Sequence, residues 1–188
     1  MRILNFEEIN LEKQSIIDSI INGSVFIHPT DTIYGIGCNA ELSSAVKKVR
    51  KLKVRATNPF SIIVPSLDWI NENCIVTKEA EEWLEKLPGP YTLILKLKKQ
   101  CVAKEVNPGL KTLGIRIPNH WIRKIVAETD APIVTTSVNR ANEDYMTSLE
   151  DLDPTIKAGI DFVLYEGRKE SKPSKIIDLT EAAKIIER

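Results

Sequence analysis

Seven short, largely apolar runs constrain the fold of this 188-residue chain more than any other feature. They fall at residues 24–28, 60–64, 91–97, 113–117, 133–136, 162–165 and 175–179, lengths that suit buried strands rather than helices. Other segments carry helical spacing instead. Leu11, Ile16, Ile17, Ile20 and Ile21 are followed by Gly23 as a stop; Leu42, Ala45, Val46, Val49 and Leu52 form a second set. Thr77 is placed to cap a third helix bearing Ala80, Trp83, Leu84 and Leu87, which the run Leu87-Pro88-Gly89-Pro90 must end. Residues 120–128 read as a fourth. This mixture predicts an α/β layer fold. Too many strands follow one another directly for every pair to be parallel, so a mixed sheet is expected.

No repeat, low-complexity tract or Gly/Ser linker divides the chain, and the polar stretches 140–148 and 168–173 are too short to separate domains. One domain spanning 1–188 is the expectation. Twenty-six basic residues balance 26 acidic ones, which argues against a strongly polyanion-binding surface but leaves room for a local basic cleft. Cys38, Cys74 and Cys101 are scattered, no C-x-x-C is present, and His28 and His120 are the only histidines. A zinc site or disulfide framework is not expected, and a reducing cytoplasm fits. The N-terminus lacks the apolar run of a signal peptide, and no segment reaches the roughly 18 apolar residues of a membrane span.

Polar chemistry collects where strands end, the usual place for ligands in open α/β sheets. The first cluster is Pro29-Thr30-Asp31-Thr32-Ile33-Tyr34-Gly35-Ile36-Gly37. Its glycines would let a backbone approach a ligand, or simply serve a polar turn. Neither G-x-x-x-x-G-K-[ST] nor G-x-G-x-x-G occurs, so phosphate would have to meet side-chain cations. Lys53 and Arg55 stand two apart: in extended backbone they share a face and reach one polyphosphate, whereas at a helix end they only complement the dipole. Arg116 sits within the apolar strand 113–117, which requires either a bound anion or a structural carboxylate. Ser137 and Asn139 project together after the strand 133–136, as ligand contacts or as a local turn. No nucleophile–base pair is evident; Cys38 reads as a buried thiol and His28 as a satisfied core histidine.

In order along the chain, these clusters resemble the YrdC-type threonylcarbamoyl-AMP synthase family. The opening run is similar to P-T-[DE]-T-x-Y-G-L-G, Lys53-Val54-Arg55 with Asn58-Pro59 to K-x-R and N-P, and Pro88-Gly89-Pro90-Tyr91-Thr92 to P-G-P-x-T. Thr112-Leu113-Gly114-Ile115-Arg116-Ile117-Pro118 matches T-x-x-x-R-x-P, Thr136-Ser137-Val138-Asn139 matches T-S-x-N, and Pro173-Ser174-Lys175-Ile176-Ile177-Asp178 resembles P-S-x-[IV]-x-D. The resemblance extends over residues 23–188.

The resemblance implies a twisted, open, mixed parallel/antiparallel sheet with flanking helices and a concave cationic cleft. It implies condensation of L-threonine, bicarbonate and ATP into threonylcarbamoyl-AMP and pyrophosphate, with magnesium carried on the triphosphate. A separate threonylcarbamoyl transferase complex would then modify tRNA. Lys53 and Arg55 would be catalytic. Lys53, Arg55, Asn58, Thr112, Asn139, Thr147 and Arg188 would lie on the ATP side, and Thr32, Arg116, Ser137 and Ser174 on the threonine side. No protein-held metal site is implied.

The chain departs from the family pattern in three places. Arg140-Ala141-Asn142 replaces a common S-G element, Ala56 stands where proline often follows the arginine, and Ile63 stands where some members have a histidine contacting threonine. Two rival readings remain: an RNA-binding module contacting tRNA or double-stranded RNA without synthesis, and a carbamoyl-adenylate-forming enzyme with another acceptor.

Overall fold

The computed structural model describes residues 1–141 and 143–186; Asn142 and Arg188, both singled out above, lie outside them. In chain order the described residues form β1 (Arg2–Leu4), α1 (Phe6–Leu11), α2 (Lys13–Ile21), β2 (Phe26–His28), β3 (Gly35–Gly37), α3 (Ser43–Lys53), β4 (Ser61–Ile63), α4 (Leu67–Asn73), α5 (Lys78–Leu84) and β5 (Tyr91–Lys96). There follow β6 (Thr112–Arg116), α6 (Ile122–Thr129), β7 (Ile133–Ser137), a 3₁₀ turn (Leu149–Asp151), α7 (Pro154–Gly159), β8 (Phe162–Leu164), β9 (Lys175–Asp178) and β10 (Lys184–Ile186).

The strands form one sheet in the order β1-β8-β2-β3-β7-β4-β6-β5-β9-β10. The pairs β1/β8, β2/β8, β4/β6 and β5/β9 are parallel, while β2/β3, β3/β7, β4/β7, β5/β6 and β9/β10 are antiparallel. The expected mixed, open sheet with flanking helices is therefore the observed one. Strands β5 and β6 pair directly, as their helix-free connection suggests. Strands β8 and β9 do not, although they too are consecutive. They lie near opposite ends of the sheet, so residues 165–174 form a strap running between them.

Some expectations give way to local chemistry. The first helical pattern is two helices meeting at Glu12, and Leu11 is 86% exposed rather than in the core. Helix α1 begins at a capping box: Asn5 Oδ1 accepts from the Glu7 and Glu8 amides, and Glu8 Oε2 accepts from the Asn5 amide. Gly23, at φ +90°, supplies the left-handed residue after α2. The run Gly35-Ile36-Gly37, expected within a turn, is strand β3. Its glycines are there because the His28 ring lies across them: a Cβ on Gly35 would stand 3.0 Å from His28 Nε2, and one on Gly37 2.9 Å from His28 Cδ2. Helix α4 carries a Ser66 cap and α7 an Asp153 cap with proline in its first turn; neither was anticipated from the apolar pattern.

Strand alternation separates two cores. Ile27, Ile36, Ile62, Leu93, Leu95, Leu113, Ile115, Val134, Val163 and Ile177 point to one face, where they pack with Ala45, Val46 and Val49 of α3, Ile70 of α4 and Ala80 of α5. Phe26, Ile63, Ile133, Phe162 and Leu164 point to the other, under Ile16, Ile17 and Ile20 of α2 and Ile122, Ile125 and Val126 of α6. Phe26 stacks on Phe162 with centroids 5.1 Å apart.

Candidate active site

Ser61 lies two residues from Ile63, and Thr135 two residues from Ile133, so they belong to the sheet face that α2 and α6 cover elsewhere. Beyond those helices that face is open, forming a cavity of about 570 Å³. Register aligns Asp178, Ile94, Gly114, Ser61 and Thr135 in one row across it. Small side chains keep this floor low; a Cβ on Gly114 would stand 2.8 Å from Ser61 Oγ. Among the described lining residues, charge comes from Arg55, Arg116 and Asp178.

Arg116 ends β6 with its guanidinium against the first polar cluster. Nη2 donates to Asp31 Oδ1 at 2.9 Å and to Thr32 Oγ1 at 3.2 Å. The two readings of Arg116 therefore combine, since it has a structural carboxylate partner and also lines the cleft. Asp31 was not among the expected site residues, although it sits in the motif; its second oxygen accepts from the Asn119 amide at 2.9 Å. Thr30 and Thr32 share a hydroxyl–hydroxyl contact of 2.9 Å, and Thr30 Oγ1 also donates to the Ile33 carbonyl. Thr32 is thus fixed directly behind Arg116.

On the opposite wall, Ser174 Oγ meets Thr92 Oγ1 at 2.8 Å, both buried. Thr92 was also missed as a site residue. Its signal is alternation, because Thr92 and Ile94 share the cleft face while Leu93 and Leu95 enter the core. Thr112 and Ser137 line the cavity as well.

The Lys53–Arg55 segment differs from the extended backbone that the polyphosphate reading needs. Lys53 is the last residue of α3, and Val54 is left-handed at φ 50°. Lys53 is buried, its Nζ donating to the Ser137 carbonyl at 2.5 Å and to the Asn139 carbonyl and Oδ1, each at 2.9 Å. Burial, followed by the charge of Arg55, lowers its ammonium pKa to about 7. Lys53 therefore braces the turn after β7 in this structure, while Arg55 lines the cavity. Ser137 Oγ donates to Asn139 Oδ1 at 2.6 Å, so Asn139 belongs to the same brace. Asn58 and Thr147 do not line the cavity: the Asn58 side chain is exposed, and Thr147 Oγ1 donates to Asp151 at the 3₁₀ turn. Ile63 is in the second core, away from the lining.

His28 is only partly the satisfied core residue expected. It is fully buried, with Nδ1 3.2 Å from the Pro29 carbonyl and Nε2 without a hydrogen-bond partner among the described residues. Burial lowers its pKa to about 4. Cys38 is a buried thiol as expected, pushed up to about 12 by burial.

The strap closes the site from the side. Tyr34 Oη donates to the Gly167 carbonyl at 2.6 Å and accepts from the Glu166 amide at 3.1 Å. Glu166 accepts from Trp121 Nε1 at 2.8 Å, Lys169 Nζ at 2.5 Å and His120 Nε2 at 3.0 Å. Burial alone would raise its carboxyl; the donors from His120, Lys169 and Trp121 outweigh that and bring it to about 2.

The Sua5/YciO/YrdC family model, whose description reads "Telomere recombination", matches residues 18–188. The chain is 36% identical to the "Putative threonylcarbamoyl-AMP synthase" of Methanocaldococcus jannaschii over 189 aligned residues, 95% of this chain and 87% of that one. It is 32% identical to the threonylcarbamoyl-AMP synthase of Pyrococcus abyssi, covering 86% of this chain but 49% of that protein. A crystal structure of Pyrococcus abyssi Sua5 complexed with L-threonine superposes with a TM-score of 0.83 at 28% identity, over 96% of this chain and 54% of that one. The chain thus spans about half the length of the Pyrococcus protein. Motif order, sheet topology and these likenesses agree: the chain belongs to the Sua5/YciO/YrdC family.

Proposed function

We propose that this protein is an L-threonylcarbamoyladenylate synthase, condensing L-threonine, bicarbonate and ATP in the cleft beside Arg116. The observation that carries this reading is a buried arginine presented on an open sheet face, with Ser137, Thr92 and Ser174 lining the same cavity and the Thr32 hydroxyl bonded to its guanidinium. A guanidinium pairs well with an amino-acid carboxylate, and hydroxyls can accept from its amine or meet its hydroxyl group. The relatives named threonylcarbamoyl-AMP synthase, and the threonine complex of Sua5, support the assignment.

In the proposed reaction the threonine amine attacks bicarbonate and water leaves, giving a carbamate. A carbamate oxygen then bonds to the α-phosphorus of ATP as the bond to the outer diphosphate breaks, releasing pyrophosphate. No protein nucleophile is required. The protein brings anions together and offsets phosphate charge, a task suited to Arg55, with Lys53 holding the turn that bears Ser137. Among the described residues no group of three or more His, Cys, Asp or Glu side chains could hold a metal. Magnesium is proposed to enter on the triphosphate, where it would supply charge neutralisation. Thr112, Asn58, Thr147, Asn139 and Arg188 stay proposed for the ATP side. A transferase complex acting on tRNA would use the product, in the cytoplasm. Among the described residues no helix is long and apolar enough to cross a membrane.

The test is incubation with ATP, magnesium, bicarbonate and threonine, with products resolved by mass spectrometry. Threonine-dependent pyrophosphate release with a threonylcarbamoyl adenylate peak is expected. Binding of tRNA or double-stranded RNA without that product would favour the RNA-binding reading, and an adenylate made only with another acceptor would favour the third.

A further inference from the structure

We infer that Arg50 is a positioning residue that sets the 55–59 turn and so aims Arg55 into the cleft. The inference rests on the proposed ATP-side role of Arg55. Residues 55–59 have no helical or strand ladder, and 56–59 are exposed, so nothing in their own backbone pairing or burial fixes the path of this turn. Arg50, in the last turn of α3, fixes it from outside. Its Nη1 donates to the carbonyls of Arg55 at 3.0 Å, Ala56 at 3.1 Å and Asn58 at 3.3 Å. Its Nε donates to the Glu105 carbonyl at 2.6 Å, and Nη2 reaches those of Asn58 at 3.3 Å and Val106 at 3.4 Å.

One planar cation thus joins two segments: the turn that carries Arg55 and Pro59 into the cavity wall, and the 105–106 backbone. The second segment is anchored to the first as well, since the Phe60 amide donates to the Val106 carbonyl at 2.9 Å. Phe60 completes the arrangement. The Arg50 guanidinium lies 4.5 Å from its ring centroid and that of Arg55 5.5 Å. Both guanidiniums are therefore referenced to one buried ring, and within the turn Arg50 meets the carbonyls of residues 55, 56 and 58 while Arg55 Nη2 donates to that of Pro59 at 3.2 Å.

A lysine cannot do this work. Its single ammonium is a point donor, whereas the carbonyls of Glu105 and Val106 and those of residues 55, 56 and 58 are met by three different guanidinium nitrogens. Arg50 is not among the residues lining the cavity, so its effect on ATP must pass through the turn.

The test uses Arg50→Gln and Arg50→Lys in the full chain, with three measurements: amide hydrogen exchange, ATP binding by calorimetry, and steady-state KM for ATP and for threonine. The expected result is faster exchange confined to residues 54–60, with ATP binding and KM for ATP weakened roughly tenfold in both variants and KM for threonine unchanged. Unchanged exchange in 54–60, faster exchange with unaltered ATP binding, or full rescue by lysine would overturn the proposal. If Arg50→Gln loses its cooperative melt, Arg50→Lys is read alone, and loss of fold in both also overturns it. Failure of the synthase reading appears separately, as a wild-type protein that makes no threonylcarbamoyl adenylate. Exchange and ATP binding still report on Arg50 in that event.

Discussion

Asp31 Oδ1 and Arg116 Nη2 lie 2.9 Å apart, with side chains only 11% and 6% exposed. An ion pair this enclosed is held by geometry, because both charges have given up most of their water. Asp31→Asn keeps the shape but removes the negative charge facing the guanidinium. The expected loss is about 2–3 kcal/mol of stability, measured by urea unfolding near neutral pH. A loss below about 0.5 kcal/mol would show a pair behaving as an exposed one.

Arg116 itself separates the two substrates. Replacing it by lysine keeps the charge, and one ammonium could still meet Asp31 and Thr32 as Nη2 does, but the remaining guanidinium N–H groups proposed to pair with the threonine carboxylate are lost. KM for threonine should rise roughly 10- to 100-fold, with KM for ATP within about twofold of wild type, as read from initial rates of pyrophosphate release. Equal effects on both substrates would remove Arg116 from the threonine side.

Much of this architecture is legible in the sequence. The seven apolar runs all became strands, because alternation on a sheet buried on one face and helix-covered on part of the other leaves little freedom of register. The cleft residues were harder to see. Thr92 and Asp31 act through partners 82 and 85 residues away in sequence, at Ser174 and Arg116, and such pairings emerge only from topology. Lys53 shows the opposite failure. Its spacing from Arg55 suggested a shared face, but a left-handed Val54 between them turns one inward to a brace and the other toward the cavity. Strand β3 was obscured because glycine has poor strand propensity; the His28 ring explains its presence.

His28 gives a pH signature. Burial brings its folded-state pKa to about 4, against about 6.5 in an unfolded chain. Above pH 6.5 both states are neutral and His28 contributes no pH dependence. Between 6.5 and 4 the unfolded state binds more protons, so stability falls as pH falls, by about 3 kcal/mol across that window. His28→Leu should abolish this component. Urea midpoints at a series of pH values, compared between the two proteins, give the difference directly. Parallel curves would mean that His28 titrates alike folded and unfolded.

Tyr34 joins the strap to the floor of the site. Its hydroxyl spans the Gly167 carbonyl and the Glu166 amide, and burial raises its pKa well above the ordinary phenol value, so it remains a donor at any physiological pH. The same strap leads to Pro173 and Ser174, which line the cavity. Tyr34→Phe keeps the ring and its stacking on Tyr165, whose centroid is 5.8 Å away, while deleting both hydrogen bonds to the strap. Each such bond contributes about 1 kcal/mol, so the fold should survive with a modest loss. The Glu166 contacts to His120 and Trp121 would still tether one end, and the freedom gained should therefore concentrate between residues 167 and 174. Hydrogen exchange is expected to quicken there, and KM for threonine to rise about three- to tenfold through Ser174. The ATP parameters should change less, because Arg55 is held by a different turn. If exchange in the strap stayed at the wild-type rate, the Glu166 contacts together with the Lys169 amide bond to the Thr147 carbonyl would be sufficient to hold it without the Tyr34 hydroxyl.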